Sequence, residues 1–206
     1  MKLNTIDYAL ENLVKEVELY GRSGGDSIFL TNVTLTVKDE DFEVPFAADI
    51  DGAYVDFDWF IKCANFRREE PHPSPDKSFW LRTFGEKAEP YGACWNLGAL
   101  KDNLSAPERW RKCLLFNSRS SEDPSCVTSY QFLQHEHRVL DVIVTMRSSD
   151  VYGVLPQDLL MTWFLLRHVC EENGLKRGSI TLNIANAHVF YENCVWQEEF
   201  TIDGLD

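Results

Sequence analysis

Apolar residues recur at two different spacings along the chain, and the spacing separates helices from strands. Residues 6–21 place apolar groups at intervals of three or four, which predicts an amphipathic helix that ends at Gly21. Residues 51–66 and 157–172 also favour helices. The second of these is apolar on most sides, which is typical of a buried central helix, and Gly174 is a natural C-cap for it.

Alternating, β-branched runs predict a sheet. The predicted strands cover residues 27–37, 111–117, 129–136, 138–147 and 179–191. Because strands outnumber helices and do not alternate strictly with them, the predicted class is α+β, with helices on one face of a sheet. Residues 67–78 form a Pro-rich, charged loop that we expect to be mobile.

Length, composition and charge restrict the class of protein. The 206 residues suit one domain over 1–206, and 44% hydrophobic with 26% charged residues is ordinary for a globular chain. A net charge of −13 argues against nonspecific binding to nucleic acid but leaves room for a small phosphorylated ligand. No apolar run is long enough for a membrane span, and carboxylates near the N-terminus argue against a signal peptide. We therefore expect a cytoplasmic location and no membrane partner.

The six cysteines stand singly, without a CxxC pair, so we interpret them as free thiols. Cys126 follows an Asp-Pro-Ser turn and precedes a strand. A hairpin through residues 134–138 would bring it to the same end of the sheet as Arg147. A nearby arginine lowers the pKa of a thiol and so favours its action as a nucleophile. The pattern alone still favours a buried structural cysteine.

The segment between the strand at 138–147 and the following helix is rich in polar groups. Arg147, Ser148 and the amides before the helix could hold a phosphate, because a helix start favours anions. Alternatively, Arg147 pairs with Asp150 and Asp158 caps the helix. The pattern leaves both interpretations open.

Two further candidates carry a weaker signal. Arg22 lies in the glycine-rich turn GRSGGDS, which is either a plain loop or a phosphate contact. His188 lies in a strand-like run, where a lone histidine is usually a core residue. No His, Cys or carboxylate set has metal-ligand spacing, so no metal is expected.

Taken in order, several motifs resemble the thymidylate synthase family, which includes the deoxycytidylate hydroxymethylases of bacteriophages. The segments DPSCVTSYQ, RSSDVYGVLPQD and ANAHVFY resemble the family's cysteine, Arg-Ser-x-Asp and His-x-Tyr motifs. Upstream, RSGG, DFDWF and YGACW are similar to its Arg-Thr-Gly-Thr, Glu-Leu-Leu-Trp-Phe and Tyr-Gly-x-x-Trp motifs. The resemblance spans roughly residues 8–193.

The resemblance implies an enzyme that acts on a nucleoside monophosphate. Cys126 would add to C6 of the pyrimidine, so that C5 can attack the one-carbon unit of 5,10-methylenetetrahydrofolate. The implied contacts to the nucleotide are Arg22, Gln131, Arg147, Ser148 and His188, with Arg109 and Arg111 reaching the phosphate of the partner subunit in a homodimer. The register leaves open which of these last two arginines makes the contact.

The same resemblance implies the remaining roles. Asp150 and Trp80 would hold the folate, Tyr91 would belong to the proton-transfer network, and Asp56 would stand for the general-acid glutamate, one methylene shorter. The implied fold is a mixed β-sheet with helices on one face, which dimerises through the sheet. No metal or nucleic acid is implied.

Asp158 stands where thymidylate synthases have an asparagine that contacts N3 and O4 of uracil. A carboxylate instead accepts from the 4-amino group of cytosine, and from N3 if that atom is protonated, but leaves O4 of uracil unpaired. An unpaired buried group costs about 1–3 kcal/mol, enough for tenfold discrimination. The same difference marks the deoxycytidylate hydroxymethylases. We therefore expect dCMP as the substrate, with Asp158 both binding it and taking part in catalysis.

The product is expected to be 5-hydroxymethyl-dCMP, because the chain runs only eighteen residues beyond His188 and a site closed less completely would admit water. The expected location is then the cytoplasm, that of the host if the chain is phage-encoded. The alternatives are a dCMP 5-methyltransferase, a divergent thymidylate synthase acting on dUMP, and a non-catalytic pyrimidine-nucleotide-binding homologue. Departures from the family pattern motivate the last of these: Val127, Phe190, Asn186 and the lack of lysine within residues 42–58.

Overall fold

A computed structural model of the protein describes residues 5–85, 88, 90–106, 112–117 and 125–194. The strands are β1 (Arg22–Gly24), β2 (Ser27–Lys38), β3 (Leu114–Phe116), β4 (Val127–Gln134), β5 (Val139–Met146), β6 (Ser149–Asp150) and β7 (Lys176–Phe190). The helices are α1 (Thr5–Tyr20), α2 (Ile50–Phe66), α3 (Phe79–Phe84), α4 (Leu97–Leu104) and α5 (Leu155–Asn173). A 3₁₀ helix spans Tyr91–Cys94.

The strands form one mixed sheet in the order β1-β2-β7-β5-β4-β3, with β6 also paired to β7. All pairs are antiparallel except β5 with β7 and β6 with β7. The parallel pair arises because α5 carries the chain back across the sheet between β5 and β7. The predicted α+β class and mixed sheet are confirmed.

Side chains on the two faces of the sheet differ, as strand geometry requires. On β5, Leu140, Val142, Val144 and Met146 are fully buried under the helices, whereas the residues between them are partly or fully exposed. Most of α5 is buried, which confirms the prediction of a central helix, and Gly174 ends it in the left-handed conformation at φ 62°.

The observed elements differ from the predicted ones at several boundaries. The predicted strand 111–117 is reduced to β3, and residue 111 lies outside the described part of the chain. The last strand begins at Lys176 rather than 179, because Gly174 ends α5 abruptly and β7 follows almost at once. The prediction missed α3 and α4, which are too short to show a helical period.

The loop at residues 67–78 contacts α2 through several residues, which include Glu70, His72 and Ser78. Trp59 Nε1 donates to the Glu70 carbonyl at 2.5 Å, and the ring of His72 contacts Asp56 at 3.0 Å. The predicted mobility of this loop stays a prediction. No helix in the described residues is long and apolar enough to cross a membrane.

Candidate active site

Polar side chains gather at the carboxyl ends of the parallel strands. Strand pairing forms a row from Arg22 through Phe29 and His188 to Asp150. The end of β5 lies beside this row, because Met146 pairs with Ile184 on β7, a few residues before His188. Four separate motifs of the sequence therefore meet at one edge of the sheet, where ligands of such α/β units usually bind.

Cys126 and Arg147 lie next to each other, as the predicted hairpin requires. The Arg147 amide donates to the Cys126 carbonyl at 2.8 Å, where β4 begins and β5 ends. Arg147 Nη1 lies 3.1 Å from Ser148 Oγ, which in turn lies 3.8 Å from the partly exposed Cys126 Sγ. A thiol, a hydroxyl and a guanidinium thus form one cluster that suits a nucleophile beside a phosphate.

Asn117, which no sequence motif singled out, bonds to the residues on both sides of the thiol. Its Nδ2 donates to the Val127 carbonyl at 2.8 Å, while its own carbonyl accepts from Ser125 Oγ at 3.2 Å. The indole of Trp95 donates to Asn117 Oδ1 at 2.7 Å. The available signal was an asparagine that ends the apolar run RKCLLFN, where a buried amide needs partners.

Asp158 lies in the first turn of α5 and is only 5% exposed. Its Oδ2 has no hydrogen-bond partner among the described residues. Burial raises its pKa from about 3.8 to about 7, and the nearby Ser149 hydroxyl partly offsets the rise. The alternative that Asp158 caps the helix is wrong, because the N-cap is Val154 and no side chain caps α5.

Two tyrosines face this carboxyl group. Burial of its hydroxyl raises the pKa of Tyr91 well above its usual value, and the charges of Asp158, Tyr130 and Cys126 add to the rise. Burial and then Asp158 likewise raise the pKa of Tyr130. Both phenols are therefore neutral around pH 7. Because Asp158 and Cys126 both raise the pKa of Tyr91, these three side chains lie in one site.

Asp56 lies in a second, fully buried cluster. Its carboxylate accepts from Ser78 Oγ at 2.5 Å and from the Trp80 amide at 3.1 Å. His72 Nε2 lies 3.0 Å from it, and His72 Nδ1 accepts from the Ser74 amide, so the neutral ring donates to Asp56 through Nε2. The carboxylate thus has three donors. Its predicted role as a general acid stays a prediction.

Trp80 links this cluster to the site but is itself 2% exposed. Its ring meets those of Phe60 and Tyr91 edge to face, at centroid distances of 5.7 and 5.9 Å. Because little of the indole reaches the surface, its predicted contact with folate stays a prediction. Asp150 is partly exposed, and its carboxylate suits the N–H donors of a pterin ring.

Gly153 of the RSSDVYGVLP segment lies close to the Asp150 carboxylate. The Tyr152 amide donates to Asp150 Oδ1 at 3.1 Å, which holds the carboxylate against the following turn. A Cβ at position 153 would lie 2.5 Å from Asp150 Oδ2. A side chain at this position would displace the carboxylate.

Other predicted site residues lie apart from the cluster or outside the described residues. Gln131 lies five positions along β4 from Cys126, about 16 Å at strand spacing, and pairs with Ile143 on the face away from the helices. Arg22 is exposed and His188 is partly buried. Arg109 and Arg111 lie outside the described residues, and no group of three metal-binding side chains occurs among those described.

The thymidylate synthase family model matches residues 108–201. This range contains Cys126, Arg147, Asp158 and His188, whereas Tyr91 precedes it. No curated protein matches the chain. The match supports membership of the family, and with it the transfer of a one-carbon unit to a pyrimidine nucleotide in general terms.

Proposed function

Because the match over residues 108–201 supports membership of the thymidylate synthase family, we propose that the protein transfers a one-carbon unit from methylenetetrahydrofolate to C5 of dCMP. The proposed product is 5-hydroxymethyl-dCMP. The observation that carries the choice of base is Asp158, a buried carboxyl group with one unpartnered oxygen in the site of the nucleophile. The resemblance to deoxycytidylate hydroxymethylases, which share this aspartate, supports the choice of product.

The raised pKa of Asp158 refines how it acts on the ring. With a pKa of about 7, the carboxyl group holds a proton on about half of the molecules at neutral pH. It can pass this proton to N3 of cytosine while it accepts from the 4-amino group. Protonation at N3 draws electrons from C6 and prepares it for attack. Uracil already has a proton at N3 and cannot be activated in this way. We therefore expect the preference for dCMP over dUMP to appear in the rate of turnover.

The residues around the thiol support a covalent mechanism. Cys126 Sγ adds to C6, which gives C5 the electron density to attack the one-carbon unit that the folate supplies. C5 would then lose its proton as the bond between the one-carbon unit and tetrahydrofolate breaks, which leaves an exocyclic methylene group at C5. Water would add to this group, and Cys126 would leave C6 as the C5–C6 double bond re-forms. Arg147 and Ser148 lie beside Cys126, where they can hold the phosphate of the nucleotide and so fix C6 against the thiol. Asp150 is the proposed contact to the folate.

The face of the sheet opposite the helices supports a homodimer. Its central positions form uncharged rows: Thr36 bonds Thr181 and Thr34 bonds Asn183, each at 3.1 Å, and Ile143 and Thr145 continue these rows on β5. An uncharged surface is unusual on a chain of net charge −13 and suits the core of an interface. In such a dimer, Arg109 or Arg111 of one subunit would reach the phosphate bound by the other.

The experiment is release of tritium from C5 of labelled dCMP and dUMP in the presence of methylenetetrahydrofolate, with products weighed by mass spectrometry. Release from dCMP and a product heavier by one CH₂O unit is the expected result. The matched controls are Cys126→Ser, which should release nothing, and Cys194→Ser, which replaces another partly exposed thiol near the chain end.

The other outcomes separate the alternatives. A product heavier by one CH₂ unit would identify a dCMP methyltransferase, and release from dUMP alone would identify a thymidylate synthase. Binding of dCMP without release from either nucleotide would identify a non-catalytic homologue.

A further inference from the structure

A second buried oxygen without a partner accompanies that of Asp158. Ser149 is 2% exposed, and neither its Oγ nor Asp158 Oδ2 makes a hydrogen bond within the described residues. A buried hydroxyl without a partner destabilises a fold, and alanine would fill most of the same space. Because the Ser149 side chain also lies close enough to Asp158 to lower its pKa, the two oxygens point to a function that uses both.

The strand geometry directs Ser149 to the inner side of the site. It pairs with Ala187, and Asp150 pairs with His188, in the short strand β6. Successive side chains of a strand point to opposite faces. The partly exposed Ser148 and Asp150 point toward the cleft, and the buried Ser149 points inward. It lies close enough to Asp158, in the first turn of α5, to lower the pKa of that carboxyl group.

Among the described residues, Ser149 is the side chain that holds down the pKa of Asp158, although its Oγ makes no full hydrogen bond in this conformation. The titratable groups that face Asp158 are Tyr91 from the 3₁₀ helix and Tyr130 from β4. Both are neutral around pH 7, so neither supplies a charge that would hold the carboxylate. The Ser149 hydroxyl, in contrast, favours the ionised form of Asp158.

We propose that Ser149 is the positioning residue for Asp158: its hydroxyl donates to one carboxylate oxygen and so fixes the orientation of the carboxyl group toward the pyrimidine ring. The inference rests on the proposed function for the identity of the ring, but the contact itself can be measured without a nucleotide. Ser149 acts through Asp158 and does not touch the substrate.

The expected effect of Ser149→Ala is a higher pKa at Asp158, because the ionised carboxylate loses its donor. We expect a rise of about one unit, since a hydrogen bond to a charged group is worth at least that much. If protonated Asp158 activates cytosine, the alkaline limb of kcat/KM for dCMP should move upward by the same amount. Ser149→Thr keeps the hydroxyl and should restore both values.

The experiment is a pH titration of the full protein labelled with ¹³C at its aspartate carboxyl carbons. The resonance of Asp158 is identified by its loss in Asp158→Asn. The matched control is Ser105→Ala, because the bond that Ser105 Oγ makes within the described residues is to the backbone of its own helix, at Lys101. Ser149→Cys, of similar size but a weaker donor, should give an intermediate shift if the threonine variant does not fold.

The outcomes separate this inference from the proposed function. A raised carboxyl pKa in Ser149→Ala, with no shift in Ser105→Ala, supports the contact. An unchanged pKa in Ser149→Ala overturns it, whatever the enzyme does with dCMP. Failure of the unmodified protein to release tritium from either nucleotide rejects the proposed function alone, and the titration still decides the role of Ser149.

Discussion

The free energy of unfolding is expected to depend on pH through Asp158, whether or not a nucleotide binds. Burial raises the pKa of this group from about 3.8 to about 7. Each unit of pKa difference corresponds to 1.36 kcal/mol, so ionisation of Asp158 lowers the free energy of unfolding by about 4 kcal/mol. Substitution of Asp158 by asparagine removes the titratable group, and with it this contribution.

The sign follows from which state holds the proton. Below about pH 4 both folded and unfolded chains keep it, and the group makes no difference. Between about pH 4 and pH 7 the folded chain holds one proton that the unfolded chain has released, so stability falls by about 1.4 kcal/mol per unit as pH rises. Above about pH 7 Asp158 is ionised in both the folded and the unfolded chain, and the free energy of unfolding falls no further through this group.

The assay is urea unfolding of the unmodified protein and of Asp158→Asn from pH 5 to pH 8. The new amide adds a contribution that does not change with pH, so the diagnostic quantity is the slope of the difference. From pH 5 to pH 8, the free energy of unfolding of Asp158→Asn should rise by about 3 kcal/mol relative to that of the unmodified protein. Asp102→Asn, a change at an exposed carboxyl group, controls for the loss of one charge. A difference that stays constant with pH would refute the argument from burial.

Three further substitutions test other parts of the site. Cys126→Ser should abolish turnover and leave dCMP binding by calorimetry nearly intact, and normal turnover would contradict the covalent mechanism. Asn117→Ala leaves the Trp95 indole and a backbone carbonyl unpaired, so urea unfolding should show a loss of about 1–3 kcal/mol for each, together with reduced kcat; unchanged stability would contradict the assigned contacts. His72→Ala removes one of three donors to Asp56 and should destabilise the fold by about 1–3 kcal/mol in the same assay. Lys15→Ala, at an exposed position of α1, serves as its control.

The sequence predicted the long elements well, because periodicity needs length to show. Residues 27–37 became β2 with one residue added, and the central helix differs by only one or two residues at each end. Short elements have too few positions for a period. Their signals were caps: Ser78 accepts from the Leu81 amide at the start of α3, and Asn96 does the same at the start of α4.

The site was predicted where motifs are local and missed where contacts are distant in sequence. The hairpin was enough to bring Cys126 to Arg147, because strand pairing fixes register. His72 lies in a segment whose proline and charge content suggested only a mobile loop, yet its ring is buried against α2. Such a contact depends on how the loop folds over the helix, which composition does not encode.

The two buried aspartates of the site show how a fold separates structural from chemical carboxyl groups. Asp56 accepts from a serine, a histidine and a backbone amide, so its lone pairs are largely used within the protein. Asp158 caps no helix, has an unpartnered oxygen, and opposes folding when ionised. Stability gives no reason for a carboxyl group at position 158, and perturbed groups of this kind cluster at functional sites. We therefore expect Asp158, rather than Asp56, to exchange the proton with the pyrimidine ring.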